Sequence, residues 1–141
     1  MHNPLVSIII PVYNGALYIG EAIDSALAQT YTNVEIIVVN DGSTDNGASR
    51  NACLSYGSKI VYYEKENGGV STALNYGIKK MTGEYFSWLS HDDRYLPNKI
   101  AENINAINCS GNPLAIPFSD YAYIDPNGKR IKTTHVKEKG Y

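Results

Sequence analysis

Val34-Glu35-Ile36-Ile37-Val38-Val39 runs straight into Asn40-Asp41-Gly42-Ser43-Thr44-Asp45, and the join between these two halves decides the fold. The first half is dominated by β-branched residues, the mark of a strand buried on both faces as in a parallel sheet. The second half consists of turn and helix-cap residues, so the strand stops abruptly and a helix follows from about Gly47 to Tyr56. The same unit recurs on either side. Upstream, Leu5 to Ile10 is an apolar run closed by Pro11, and Leu17, Ile19, Ala22, Ile23, Ala26 and Leu27 then follow near helical spacing within Ala16 to Gln29. Downstream, a short strand at Ile60 to Tyr63 breaks at Asn67-Gly68-Gly69. A helix over Val70 to Met81 follows, with Gly83 as its C-terminal stop. Tyr85 to Leu89 is a fourth buried strand leading into Ser90-His91-Asp92-Asp93, and Pro97 opens a helix carrying Ile100, Ile104 and Ile107. Four strand–helix cycles predict an α/β fold, Rossmann-like, with a mainly parallel central sheet flanked by helices on both faces. Leu114 to Phe118 predicts one more strand. Asp125-Pro126-Asn127-Gly128 predicts a hairpin turn after Tyr121 to Ile124.

The length of 141 residues suits one domain spanning 1–141. Hydrophobic residues at 43% against 18% charged place the chain among globular proteins and exclude the disordered, collagenous and coiled-coil classes. A net charge of −2 supplies no broad field for phosphate backbones, so nucleic acid is excluded as a partner. The most basic stretch, Lys129 to Lys139, reads as a solvated tail. Cys53 and Cys109 lack any metal-ligand spacing and read as reduced thiols packed like small hydrophobes. No apolar run approaches the ~20 residues of a transmembrane helix, and no leader precedes the first strand. The expected location is the cytoplasm, with the inner face of the membrane as the alternative.

Ligands of open α/β sheets bind beyond the carboxyl ends of the strands, where loops meet helix N-termini. Three such ends here carry polar clusters: Pro11-Val12-Tyr13-Asn14, Asp41-Gly42-Ser43 and His91-Asp92-Asp93. Adjacent carboxylates repel, and a divalent ion relieves the repulsion. Hard oxygen donors suit Mg²⁺ or Mn²⁺, which keep waters and take substrate phosphates as further ligands. The plainer reading is that Asp92 and Asp93 cap the following turn and pair with Arg94. Asp41 is either part of a turn and cap or an acceptor for the ring N–H of a base such as uracil. Tyr13 is one of 12 tyrosines and reads as either packing or stacking. Asn67-Gly68-Gly69 presents N–H groups to a phosphate or is a plain turn. His91 is a hydrogen-bond partner of the carboxylates or an additional metal ligand.

Read in order, Val6 to Asn14, Gln29-Thr30-Tyr31, Val38 to Asp45, Asn67-Gly68-Gly69-Val70-Ser71, Gly83-Glu84-Tyr85, Leu89 to Asp93 and Pro97 resemble the nucleotide-binding half of a family 2 glycosyltransferase with the GT-A fold. The resemblance covers nearly the whole chain. It implies transfer of a sugar from a nucleoside diphosphate donor, a UDP-sugar, to a saccharide or lipid-linked acceptor with inversion. It further implies that Pro11, Tyr13, Asn14, Asp41, Ser71 and Asp92 bind the nucleotide, with Asp41 on the uracil ring. Asp92 would ligate Mn²⁺ or Mg²⁺ at the diphosphate, with His91 and Asp93 as further candidates, and Asp93 would serve the ribose or donor sugar. Ser90 stands where the family often has an aspartate, and Leu74 where it often has an arginine. The family's general base belongs to a later segment, so the catalytic base is expected beyond Tyr141. The chain then reads as a C-terminally truncated domain that binds donor without completing transfer, with homodimerisation through uncovered apolar surface left open. Two other readings are a nucleotidyltransferase, disfavoured because no glycine-rich basic loop follows the first strand, and a noncatalytic carbohydrate-binding or interaction module.

Overall fold

The computed structural model describes residues 2–136. Its elements are β1 (Val6–Val12), α1 (Ile19–Leu27), β2 (Val34–Asn40), α2 (Ala48–Leu54), a 3₁₀ turn (Gly57–Lys59), β3 (Val61–Glu64), α3 (Val70–Lys80), β4 (Tyr85–Trp88), α4 (Lys99–Ser110), β5 (Tyr121–Ile124) and β6 (Arg130–Thr134). β1 to β4 form one sheet in the order β3-β2-β1-β4, every pair parallel. The chain divides into two compact units, Met1–Ile104 and Asn105–Tyr141.

In the first unit, β1 is buried along its whole length and the last five residues of β2 likewise, as continuous apolar runs in the middle of a sheet require. Side chains alternate across the sheet. Ile9, Ile37 and Val39 face α3 and pack on Ala73, with Leu74, Ile78 and Met81 closing the edge of that core. The alternate residues Ile8, Ile10, Ile36 and Val38 are equally buried on the opposite face, the side taken by α1 and α2. α1 buries Ile19, Ala22, Ile23 and Ala26, one stripe at helical spacing. Gly77 lets α3 lie close to the sheet, since a Cβ there would come 2.6 Å from the Ile9 side chain. The amide side chain of Gln29 donates to Leu96 O at 2.8 Å and accepts from Ile100 N at 3.0 Å, fixing the start of α4 so that Ile100 and Ile104 are buried.

Two expectations change in this unit. Gly83 is not the stop of α3, which leaves helical geometry at Met81 with ψ 153. Gly83 is required where the chain crosses β1: a Cβ would stand 2.5 Å from Ser7 Oγ and 2.7 Å from Leu5 O. Glu35 anchors this crossing by accepting from Ser7 Oγ, Thr82 N and Gly83 N at 2.6, 2.7 and 3.0 Å. β4 is an edge strand, not a buried one, and its Phe86 and Trp88 rings are half exposed.

In the second unit, β5 and β6 form the expected antiparallel hairpin, closed through Asp125, whose backbone N–H donates to Lys129 O at 2.8 Å. Lys129 to Lys139 is therefore not simply a tail: Arg130–Thr134 is a strand, and the part from 137 onward lies outside the described residues. The strand expected at Leu114 to Phe118 does not form. Asn112 captures the N–H of Leu114 with its side chain at 3.0 Å and that of Ala115 with its carbonyl at 3.1 Å, and Pro117 has no N–H to give a ladder. Of the two thiols, Cys53 is buried as expected, whereas Cys109 is exposed on α4. Among the described residues no helix is long and apolar enough to cross a membrane.

Candidate functional site

All four strands of the parallel sheet end on the same side, so the loops after β1, β2 and β4 meet there. They enclose a cleft of about 280 Å³ within the first unit. Pro11, Tyr13, Asp41, His91 and Asp92 line it, together with Val12, Asn67, Gly69, Val70 and Ser90. The other three residues singled out from the sequence, Asn14, Ser71 and Asp93, are not part of the lining.

Asn14 acts one step behind the wall. It adopts φ 50, a left-handed conformation that asparagine tolerates better than most residues. In that pose its N–H donates to Ser43 Oγ at 3.0 Å and its side-chain oxygen accepts from Thr44 N at 2.8 Å, tying the β1 loop to the β2 loop. Gly15 extends the tie, its N–H donating to the buried Ser49 Oγ at 2.9 Å while that hydroxyl donates to Asp45 Oδ2 at 2.6 Å. Gly15 has no room for a side chain, because a Cβ would collide with the His91 ring and stand 2.8 Å from Val12 Cγ2.

Asp41 is almost fully buried at the end of β2. Its Oδ1 accepts from Lys65 Nζ at 2.6 Å and its Oδ2 from Gly69 N at 2.7 Å, while Gly68 N is shared between the two at 3.2 and 3.3 Å. Burial alone would raise its carboxyl pKa. The Lys65 hydrogen bond, the two glycine N–H groups and the Lys65 charge outweigh that and hold it below the ordinary value. The N–H groups of Gly68 and Gly69 thus serve Asp41, and the phosphate cradle considered for Asn67-Gly68-Gly69 does not form in this way. The loop is a purpose-built turn, pinned again by Asn67 Nδ2 donating to Asp41 O at 3.0 Å.

The corner after β4 is different. Asp93 N closes a turn onto Ser90 O at 3.1 Å, and Asp92 and Asp93 are both exposed. Desolvation and the neighbouring Asp92 charge raise the Asp93 pKa, with His91 pulling the other way. Arg94 does not pair with these carboxylates but with Glu21, at 3.3 Å. Among the described residues no three His, Cys, Asp or Glu side chains converge as a metal cage. One or two exposed carboxylate donors at the rim of a cleft fit instead a hard cation that keeps its waters and shares phosphate ligands. Leu74 packs, partly buried, against the core of Ile9, Ile37, Val39 and Ala73.

Five lining residues are not among the site residues expected from the sequence: Val12, Asn67, Gly69, Val70 and Ser90. The principal partner of Asp41, Lys65, was missed too. Lys65 sits in the plain charged run Glu64-Lys65-Glu66, and nothing in its spacing signals a partner in the loop after β2.

The profile of glycosyl transferase family 2 matches residues 7–141, all but the first six positions. The chain belongs to glycosyltransferase family 2. An uncharacterized glycosyltransferase of Rickettsia felis is 64% identical over 132 residues, which are 94% of this family 2 chain and 22% of that protein. Across five Rickettsia relatives the chain spans between 18% and 39% of their length. Among solved structures, S. aureus TarS matches with a TM-score of 0.68 at 26% identity, over 75% of this chain and 20% of that one. Its 1–349 portion has been solved with UDP and with UDP-GlcNAc. A mannosyltransferase from Pyrobaculum calidifontis, solved with GDP-Man and Mn²⁺, shares the fold with a TM-score of 0.66 at 24% identity, over 90% of this chain and 37% of that one. The parallel sheet and its flanking helices are thus the GT-A arrangement expected of a family 2 member.

Proposed function

We propose that this chain carries the donor site of a glycosyltransferase that moves a sugar from a UDP-sugar to a saccharide or lipid-linked acceptor, with inversion and with the help of Mn²⁺ or Mg²⁺. The observation that carries this reading is a single cleft bringing together a buried, ionised carboxylate at the end of β2 and an exposed carboxylate after β4. Family membership sets the reaction class, and the UDP complexes of TarS support uracil as the base.

In this reading Asp41 accepts the ring N–H of uracil, and Pro11 and Tyr13 flank the base and ribose. Asn14 keeps the β1 loop against the β2 loop so that this wall stays formed, and Ser71, in the first turn of α3, lies next to the Gly69–Val70 rim. Asp92 holds the cation, with His91 and Asp93 beside it, and Asp93 faces the ribose or donor sugar. When bound, the cation supplies Lewis-acid stabilisation of the charge that develops on the departing diphosphate. The base that takes the acceptor's proton is assigned to sequence beyond Tyr141, so residues 1–141 bind donor without turning it over.

Calorimetric titration of UDP into the protein tests this, with Mn²⁺, with EDTA and with the Asp92→Asn variant. Binding that needs the cation and is lost in the variant supports the donor site. Absence of UDP binding under every condition overturns it, and glycan binding indifferent to cation and nucleotide would favour the noncatalytic module instead. Sugar transfer by residues 1–141 alone would overturn the placement of the base.

A further inference from the structure

We propose that Lys65 is a specificity-determining residue that makes the cleft prefer a base offering one ring N–H, such as uracil, over one offering two adjacent donors, such as guanine. This rests on the donor-site reading and concerns the same wall. A carboxylate has about four acceptor sites. In Asp41, Lys65 Nζ takes one on Oδ1, Gly69 N takes one on Oδ2, and Gly68 N straddles both oxygens. About one site is left for a ligand. A uracil edge brings a single N–H between two carbonyls and can use it. The guanine edge brings a ring N–H and an exocyclic amine side by side and needs one open acceptor site on each oxygen, as in a bidentate pair. With Oδ1 held at 2.6 Å by an ammonium, one guanine donor would be desolvated without a partner, which is the most effective way for a polar site to reject a ligand.

Lys65 is fixed for this role. Its ammonium donates to Asp41 Oδ1, to Glu66 O at 2.5 Å and to Thr72 Oγ1 at 3.0 Å, which uses all three of its protons. It is therefore a blocking and orienting group behind Asp41 and not a phosphate ligand. Thr72 Oγ1 in turn donates to Gly69 O at 2.8 Å, so the ammonium and the glycine loop are held as one piece.

The test is the ratio of UDP to GDP affinity, measured by calorimetry with Mn²⁺ for the unaltered protein and for Lys65→Met. The expected result is a preference for UDP in the unaltered protein that falls about tenfold in Lys65→Met, the discrimination one bidentate base contact provides. A ratio that does not change while both affinities fall together would reduce Lys65 to a structural prop and overturn the proposal. If Lys65→Met does not fold by circular dichroism, Thr72→Val replaces it. That variant removes one acceptor from the ammonium and shifts the ratio in the same direction, and an unchanged ratio there overturns the proposal equally. An unaltered protein that binds UDP with an unmoved ratio leaves the donor site standing and removes only this inference; one that binds neither nucleotide removes both.

Discussion

The two walls of the cleft are built on opposite terms. The wall from β1, β2 and the loop before α3 is bonded throughout: Asn14 to Ser43 and Thr44, Gly15 to Ser49, Asp41 to Lys65, Gly68 and Gly69. The wall after β4 has one turn bond at Asp93 N, and among the described residues neither carboxylate of Asp92 and Asp93 accepts a hydrogen bond. The first is finished before a ligand arrives; the second leaves its charges to be satisfied by one. Preorganisation thus sits on the side that would read a base, and unspent charge on the side that would meet a cation and a diphosphate.

The contrast breaks most visibly at Asp41. Asp41→Ala leaves the Lys65 ammonium, only 19% exposed, without its charge partner, and a loss of about 3 kcal/mol is expected in urea denaturation. Gly15→Ala strikes the junction of the two walls, forcing the His91 ring and Val12 apart, at a cost of about 2 kcal/mol by the same measurement. Acid sharpens the comparison by sign. The folded Asp41 carboxyl lies below its ordinary 3.8, so its contribution is complete above that value and is lost as pH falls through the lower, folded pKa. Asp93 is raised, so its charge opposes folding at neutral pH and the opposition fades as pH falls through that raised value. Denaturation curves from pH 6 downward should therefore converge for the unaltered protein and Asp41→Ala. Asp93→Asn should be slightly more stable than the unaltered protein at pH 7 and lose that advantage in acid. Asp92→Asn is the smallest change for the fold, within about 0.5 kcal/mol, as expected for an exposed side chain outside any bonded network. A larger loss would mean that the corner is already engaged without a ligand.

The sequence made the architecture legible wherever burial dictated periodicity. The runs at Ile8–Ile10 and Ile36–Val39 are dictated by helices on both faces of the sheet, and the α1 stripe at Ile19, Ala22, Ile23 and Ala26 by burial on one face. Legibility failed where a residue answers to a distant backbone. Gly83 looks like a helix stop and is a crossing point over Leu5 and Ser7, and Leu114 to Phe118 alternates like a strand but has Pro117 within it and a capturing Asn112 ahead of it. The site divides in the same way. Tyr13, Asp41 and Asp92 come together in one cleft because Tyr13 and Asp41 directly follow β1 and β2 and Asp92 lies in the turn after β4. Lys65 could not be read from the sequence, because the pair it forms spans 24 residues and leaves no periodic trace. Asn14 was singled out for the ligand and found to serve the loop, since backbone conformation, invisible in sequence, turns its side chain toward Thr44.

The two thiols supply the protein with its own chemical clock. Cys109 lies open on α4, whereas Cys53 is on the buried face of α2, where burial first and then the Asp45 charge push its pKa up to about 12. An alkylating dye at neutral pH will therefore mark Cys109 alone in the native protein, a single-site label obtained without mutagenesis. The second dye can enter only when α2 lifts from the sheet, so the rate of double labelling counts openings of the very layer that carries Ser49 beneath the Gly15 loop.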